Sequence, residues 1–133
     1  VELSERFPFV YAAAGVHPSD CGEWEDSWLD ELRSLAARPK VKAIGEIGLD
    51  YYWKENPPRE HQQQVFHKQL ELAEELDLPV IVHDREPTTT AWRWSGLTPR
   101  SGACTSCYSG SLEDAKVLVK LGWMLSFHWR HHL

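Results

Sequence analysis

Short apolar segments alternate with amphipathic segments along this chain, and this alternation restricts its fold more than any other feature. Residues 8–15, 41–46 and 79–83 are apolar runs of strand length, as expected for strands buried on both faces. A last strand is predicted over 123–127. Strands that alternate with helices build a parallel sheet covered by helices. The pattern therefore predicts an α/β fold, as either an open doubly wound sheet or part of a (β/α)8 barrel.

Three helices are predicted between these strands. The first follows a cap at Ser19 or Asp20 and ends at Pro39, with its apolar residues at helical spacing. The second covers about 59–76, and the third covers 111–122, from a serine cap to a glycine stop. The sequence GVHPSD after the first strand lacks the G-x-G-x-x-G pattern, which argues against a dinucleotide-binding fold.

Titratable side chains stand at the carboxyl ends of the predicted strands. His17 follows the first strand, Glu46 ends the second and His83 ends the third. In α/β sheets and barrels these ends meet at the edge where ligands bind. Imidazole nitrogens and carboxylate oxygens bind divalent ions, and such an ion can polarise a phosphoryl oxygen and activate water. The edge therefore has the composition of a hydrolytic metal site.

Each candidate residue also has a purely structural interpretation. His17 lies in a good turn sequence, Asp50 could bond the backbone of its own turn, and Tyr51 could pack in the core. Arg85 could pair with a neighbouring carboxylate, or it could clamp a phosphate with its planar guanidinium group. Glu46 is the hardest to explain in this way, because a carboxylate within the apolar run AIGEIG is costly to bury without a partner.

Charge is distributed unevenly along the chain. Residues 1–86 hold 9 Lys+Arg and 18 Asp+Glu, a net charge of −9, whereas residues 87–133 hold 5 and 2, a net charge of +3. The stretch 87–107 contains no carboxylate and all five threonines. We interpret 87–106 and 128–133 as anomalous segments. A shifted reading frame is one hypothesis for their origin, and a genuine divergent insertion is the alternative.

Four sequence runs resemble the TatD family of metal-dependent deoxyribonucleases. The runs are GVHP at 15–18, AIGEIGLDYY at 43–52, QxxxFxxQLELAEELDLPVIVHDRE at 62–86 and CYSGSLEDAK at 107–116. The resemblance covers about residues 8–86 and 107–127. It implies an incomplete (β/α)8 barrel of the TIM type, with residues 1–133 forming about half of one family domain. The implied activity is hydrolysis of DNA phosphodiester bonds by metal-activated water, with DNA as substrate and Mg, Mn or Zn as the divalent ion.

The resemblance also implies roles for individual residues. Glu46 and His83 would be metal ligands, Arg85 would lie close to the substrate phosphate, and His17 would lie near the site. Asp50 and Tyr51 complete the set of candidate substrate-binding residues. No catalytic residue is assigned beyond the metal ligands.

The sequence departs from the family pattern at four of the expected ligand positions. The family opens with a His-x-His strand and carries a later Asp ligand, and we expect both to lie outside this chain. The family also has a His directly before the Cys-Tyr-Ser-Gly run, where this chain has Ser106. Because a catalytic ion usually needs about four ligands, we expect little or no activity and marginal folding from this chain alone.

Two other readings of the function remain open. One is a non-catalytic truncated relative, and the other is a metallohydrolase of the same barrel superfamily that acts on a small molecule. The pair Cys104 and Cys107 and the cluster at 128–132 have metal-binding residue types, but they lie in or beside the anomalous segments and no second pair supports them.

Composition restricts the partners and the compartment. A net charge of −6 disfavours binding of nucleic acid through a generally basic surface, although bound cations could neutralise the phosphates of a nuclease substrate. No apolar run approaches the roughly 20 residues that cross a bilayer, and no signal peptide is visible. Three cysteines are a low and odd number, which argues against a framework of disulfides in this chain. We therefore expect a cytoplasmic protein without a membrane partner, and a monomer in its full-length form.

Overall fold

A parallel sheet of five strands forms the centre of the chain. The computed structural model describes residues 1–85, 101–106, 108 and 110–127. The strands are β1 (Ala12–Ala14), β2 (Val41–Asp50), β3 (Val80–Arg85), β4 (Ala103–Ser106) and β5 (Met124–Leu125). All neighbouring pairs are parallel, and the order in the sheet is the order in the chain. A doubly wound sheet would reverse its strand order, so the described strands have the winding of a (β/α)8 barrel.

Helices connect the strands in the alternating way that the sequence predicts. They are α1 (Glu2–Arg6), α2 (Trp28–Ala36), α3 (Arg59–Glu75) and α4 (Leu112–Lys120), with a short 3-10 turn at Cys21–Glu23. The bounds of α3 agree with the prediction to within one residue. The predicted serine cap of α4 is also confirmed, because Oγ of Ser111 accepts the backbone N–H of Asp114 at 3.0 Å.

The first strand is much shorter than the predicted range 8–15. Phe9 is 78% exposed, so the segment before β1 does not enter the core. Nζ of Lys40 donates to the carbonyl oxygens of Pro8 at 2.6 Å and Val10 at 2.9 Å. These carbonyls are therefore satisfied by an ammonium group instead of a neighbouring strand.

The second and third strands are longer than predicted, and one strand was not predicted at all. Gly48, Leu49 and Asp50 continue β2 because they pair with the last three residues of β3. The strand β4 lies in the segment with anomalous composition, yet it pairs with both β3 and β5. Two further parts of the anomalous segments, 87–100 and 128–133, lie outside the described residues, and so does Cys107.

The core lies between the sheet and α3. Its fully buried apolar side chains come mainly from β2, β3 and α3, and include Ile44, Ile47, Leu49, Phe66, Leu70, Val80 and Val82. Within the described part of the chain, no helix is long and apolar enough to cross a membrane.

Candidate metal centre

Three side chains from three successive strands meet at the carboxyl edge of the sheet. His17 follows β1, Glu46 lies in β2 and His83 lies in β3. Each offers one nitrogen or oxygen atom, and these three atoms all lie within 4.8 Å of one another. The rings of His17 and His83 have centroids 4.5 Å apart. All three side chains are half-buried, so a bound ion would be partly shielded from water and still reachable.

His83 lies between two carboxylates. Its Nδ1 lies 3.1 Å from Oε1 of Glu46, and its Nε2 lies 3.1 Å from Oδ2 of Asp50. A neutral imidazole carries only one N–H and can donate to only one of them. If Nε2 donates to buried Asp50, then Nδ1 and Glu46 face each other as two electron-pair donors. A cation between them would satisfy both, as in the carboxylate–histidine–metal arrangement of many metal sites.

The position and charge state of His17 also suit metal binding. Oγ of Ser19 lies 2.7 Å from Nδ1 of His17 and fixes that side of the ring. Burial, and secondly the nearby His83, hold the pKa of His17 below its usual value. The neutral imidazole is the form that ligates metals, so His17 is available as a ligand at a lower pH than an exposed histidine.

Ser106 of β4 lies next to the cluster and contacts Glu46. It is the strand partner of His83 in the register of β3 with β4, and its hydroxyl donates a hydrogen bond to Oε1 of Glu46. The resemblance places a histidine ligand at this position. In this chain the β4 position therefore supplies a hydrogen-bond donor to Glu46, and the described donor set is two imidazoles and one carboxylate.

Two buried glutamines of α3 hold the segments that carry the site. Oε1 of Gln69 accepts the N–H of Val16 at 2.7 Å, and its Nε2 donates to the Val16 carbonyl at 3.1 Å, next to His17. Gln62 makes the same pair of bonds to the backbone of Asp50, at 2.9 and 3.0 Å. The two glutamines are seven residues apart, which is about two turns of helix. One face of α3 thus fixes the carboxyl ends of both β1 and β2.

The remaining predicted residues lie beside the cluster. Tyr51 packs against the core, and its hydroxyl accepts a hydrogen bond from Nε2 of Gln63 at 2.9 Å. The guanidinium of Arg85 lies 4.2 Å from the ring centroid of Tyr52 and 5.6 Å from that of Trp53. Tyr51 is therefore directed into the protein. Arg85 instead contacts Tyr52 and Trp53, the two aromatic residues that follow Tyr51.

Asp84 lies on the opposite side of β3 from His83, as strand alternation requires. Burial raises the pKa of the Asp84 carboxyl to about 7, opposed by His83 and reinforced by Asp114. It was not a predicted site residue, and it is not one of the three side chains of the cluster.

Sequence reasoning placed His17, Glu46 and His83 at the same edge of the sheet, but it did not anticipate the contact that Ser106 makes with Glu46. The resemblance placed His17 near the site, among the candidate substrate-binding residues, and its imidazole is one of the three groups that could hold an ion. Ser106 was noted only as a departure from the family pattern. Its contact with Glu46 could have been suspected from the strand-end position directly before Cys107, but β4 itself was not predicted.

The parallel sheet is wound as in a TIM barrel, and its carboxyl edge carries a His–Glu–His cluster that could hold a metal ion. The profile of the TatD related DNase family matches residues 1–130. The chain belongs to this family.

Similar proteins agree with this assignment. The chain is 38% identical over 130 residues to the uncharacterized metal-dependent hydrolase YabD of Bacillus subtilis, covering 96% of this chain and 50% of that protein. It is 34% identical over 125 residues to the 3'-5' ssDNA/RNA exonuclease TatD of Escherichia coli K12, covering 91% and 47%. The chain therefore spans about half the length of the curated relatives it matches.

Solved structures show the same fold. The TatD homologue YjjV from Escherichia coli K12 superposes with a TM-score of 0.80 at 38% identity, covering 93% of this chain and 49% of that one. A TatD family hydrolase from Entamoeba histolytica superposes with a TM-score of 0.71 at 26% identity, covering 95% and 46%. These matches confirm the expectation of about half of a TIM-type barrel.

Proposed function

We propose that the cluster of His17, Glu46 and His83 holds a divalent metal ion and serves hydrolysis of phosphodiester bonds in DNA. The observation that carries the proposal is the meeting of three donor atoms within 4.8 Å of one another. The similarity to the Escherichia coli 3'-5' ssDNA/RNA exonuclease TatD supports nucleic acid as the substrate class.

The residues around the cluster would have three roles: metal ligand, positioning residue and phosphate-binding residue. When bound, the ion would polarise a phosphoryl oxygen and lower the pKa of a coordinated water molecule. Glu46 and His83 would be ligands, as the sequence predicts, with His17 as the third. Asp50 would orient His83 through Nε2, from which it lies 3.1 Å away. Arg85 would bind the phosphate with its planar guanidinium group.

The donor set restricts the identity of the ion. Two imidazole nitrogens and one carboxylate oxygen suit Zn²⁺ or Mn²⁺, whereas Mg²⁺ prefers oxygen ligands and retains most of its water. We therefore place Zn²⁺ and Mn²⁺ before Mg²⁺ as the ion of this site.

For the chain by itself we propose little or no activity. Only three side chains come together in the described residues, and Ser106 adds only a hydroxyl, which donates to Glu46.

Cys21 and Cys104 are free thiols, which fits a reducing compartment. We propose a cytoplasmic protein that acts as a monomer in its full-length form.

Calorimetric titration of Mn²⁺, Zn²⁺ or Mg²⁺ into the chain tests the metal centre. A cleavage assay with a labelled single-stranded oligodeoxynucleotide and each metal tests the expectation of little or no activity from the chain by itself. We expect Zn²⁺ or Mn²⁺ to bind with one ion per chain and Glu46→Gln to abolish binding. The exposed Glu31→Gln is the matched control. Equal metal binding by wild type and Glu46→Gln would contradict the metal centre. Hydrolysis of a small ester or amide without cleavage of DNA would favour the small-molecule hydrolase.

A further inference from the structure

We propose that Tyr52, Trp53 and Arg85 form a platform that binds the unpaired bases of single-stranded nucleic acid beside the metal centre. This inference rests on the proposed function and names the part of the substrate that is recognised. The rings of Tyr52 and Trp53 lie 4.7 Å apart at an interplanar angle of 90°, and Arg85 lies over both rings. We call these three residues the aromatic platform.

The platform is exposed, and core packing does not account for it. Tyr52 is 44% exposed and Trp53 is 52% exposed, whereas the preceding Tyr51 packs against the core. Two adjoining exposed rings form an apolar patch, and such patches on a protein surface mark binding sites. Every nucleobase has a flat face that stacks on such rings, and this stacking tolerates any base sequence.

The platform and the metal centre are joined through Asp50. Oδ1 of Asp50 accepts the backbone N–H of Tyr52 at 3.0 Å, while Oδ2 faces His83. Arg85 stands two residues beyond His83 on β3, on the same face of the strand and about 7 Å further along. A single-stranded nucleic acid whose phosphate lies at the metal centre could therefore place an adjoining base on the platform.

The loop that carries the platform is held in place before any ligand binds. Nε2 of Gln62 donates to the carbonyl of Pro57 at 2.7 Å, and Nδ2 of Asn56 donates to that of Asp50 at 3.2 Å. Both ends of the loop are thus fixed to α3 or β2. A preformed loop lowers the entropy lost on binding.

Local charge favours a phosphate backbone although the whole chain is acidic. Among the described residues, no carboxylate forms an ion pair with Arg85. Lys54 lies exposed on the same loop and Arg59 at the start of α3, against the exposed Glu55 and Glu60. Arginine both stacks on aromatic rings and donates to phosphate oxygens. In a duplex the base faces are already stacked on each other, so the platform should select single strands.

Fluorescence anisotropy of a labelled twelve-nucleotide oligothymidylate, with EDTA present, measures binding without cleavage. We expect Trp53→Ala and Tyr52→Ala each to raise the Kd about 5- to 10-fold, and Arg85→Lys to raise it about 3-fold because charge remains and stacking is lost. Phe9→Ala is the matched control, since Phe9 is an exposed aromatic residue before β1 at the opposite edge of the sheet. Circular dichroism confirms that each variant is folded.

The outcomes separate this proposal from the proposed function. Unchanged binding by Trp53→Ala and Tyr52→Ala, no binding of the oligonucleotide, or equal binding of a duplex would each overturn the platform. Glu31→Gln, an exposed residue of α2 outside the site, should bind the oligonucleotide in EDTA as wild type does. If metal titration fails while the platform variants lose affinity, the metal centre is wrong and the platform stands. Equal affinity for oligouridylate would show that the platform reads bases in either nucleic acid, and weaker affinity would assign it to DNA.

Discussion

Nε2 of His83 lies 3.1 Å from Oδ2 of Asp50, a carboxylate that is only 4% exposed. This pair leaves Nδ1 of His83 facing Glu46 and so determines which nitrogen can bind an ion. Removing the partner carboxylate of a metal-ligating histidine typically weakens metal binding about 10- to 100-fold. We expect Asp50→Asn to weaken Zn²⁺ or Mn²⁺ binding by this amount, measured by calorimetry. An unchanged affinity would show that His83 is oriented by other contacts.

The glutamines of α3 provide a second test of positioning. Gln69 is fully buried and holds both backbone groups of Val16 next to His17. Gln69→Leu leaves those groups unpaired, so we expect a loss of about 1–3 kcal/mol in the free energy of unfolding by urea, and weaker metal binding. Gln64→Leu, on the exposed side of the same helix, should change neither quantity.

Gly48 is the tightest point between β2 and β3. Its φ is +138°, and a Cβ atom there would lie 2.0 Å from the carbonyl oxygen of His83. Gly102 has a φ of +100° but open space around it. Gly102→Ala should therefore cost about 1 kcal/mol from backbone strain alone, and Gly48→Ala at least about 2 kcal/mol more. Thermal unfolding of the two variants checks this, and equal losses would exclude the steric clash.

Ser106 allows the site to be extended by one ligand. Its hydroxyl contacts Glu46, and its backbone pairs with His83. We expect Ser106→His to tighten Zn²⁺ binding by about tenfold or more through an added imidazole nitrogen. Ser106→Ala should bind less tightly than wild type, because Glu46 loses a hydrogen-bond donor. If the histidine variant binds no better than the alanine variant, the β4 position does not face the ion.

Asp84 predicts a specific pH dependence of stability. Because burial raises its pKa to about 7, the folded chain holds this proton more tightly than the unfolded chain, whose carboxyl titrates near 4. Its contribution to stability is present at low pH and is lost as the pH rises from about 4 to about 7. Urea unfolding in EDTA at pH 5 and pH 8 should show a smaller decrease for Asp84→Asn than for wild type. The exposed Glu31→Gln should keep the wild-type decrease.

Local patterns in the sequence were enough for α3, α4 and the alternation of strands and helices, whereas α2 begins at Trp28, after the cap predicted at Ser19 or Asp20. α3 agrees with its predicted bounds because apolar residues at helical spacing and two preceding prolines are local signals. The strand ends were less accurate. β1 is short because Lys40, distant in sequence, takes the carbonyls before it, and β2 is long because β3 lies beside it. Contacts with residues this distant in sequence cannot be predicted from the local sequence of a strand.

By itself, the sequence determined the α/β class, the family and the presence of Glu46 and His83 in neighbouring strands, since these follow from periodicity and contiguous motifs. Only the tertiary structure decided that donor atoms of these two residues and of His17 lie within 4.8 Å of one another, and that Ser106 contacts Glu46. It also decided that Asp50 faces His83, and that Arg85 stacks on Tyr52 instead of Tyr51. The physical reason is that such contacts depend on the register between strands. A shift of one residue would turn each of these side chains to the other face of the sheet.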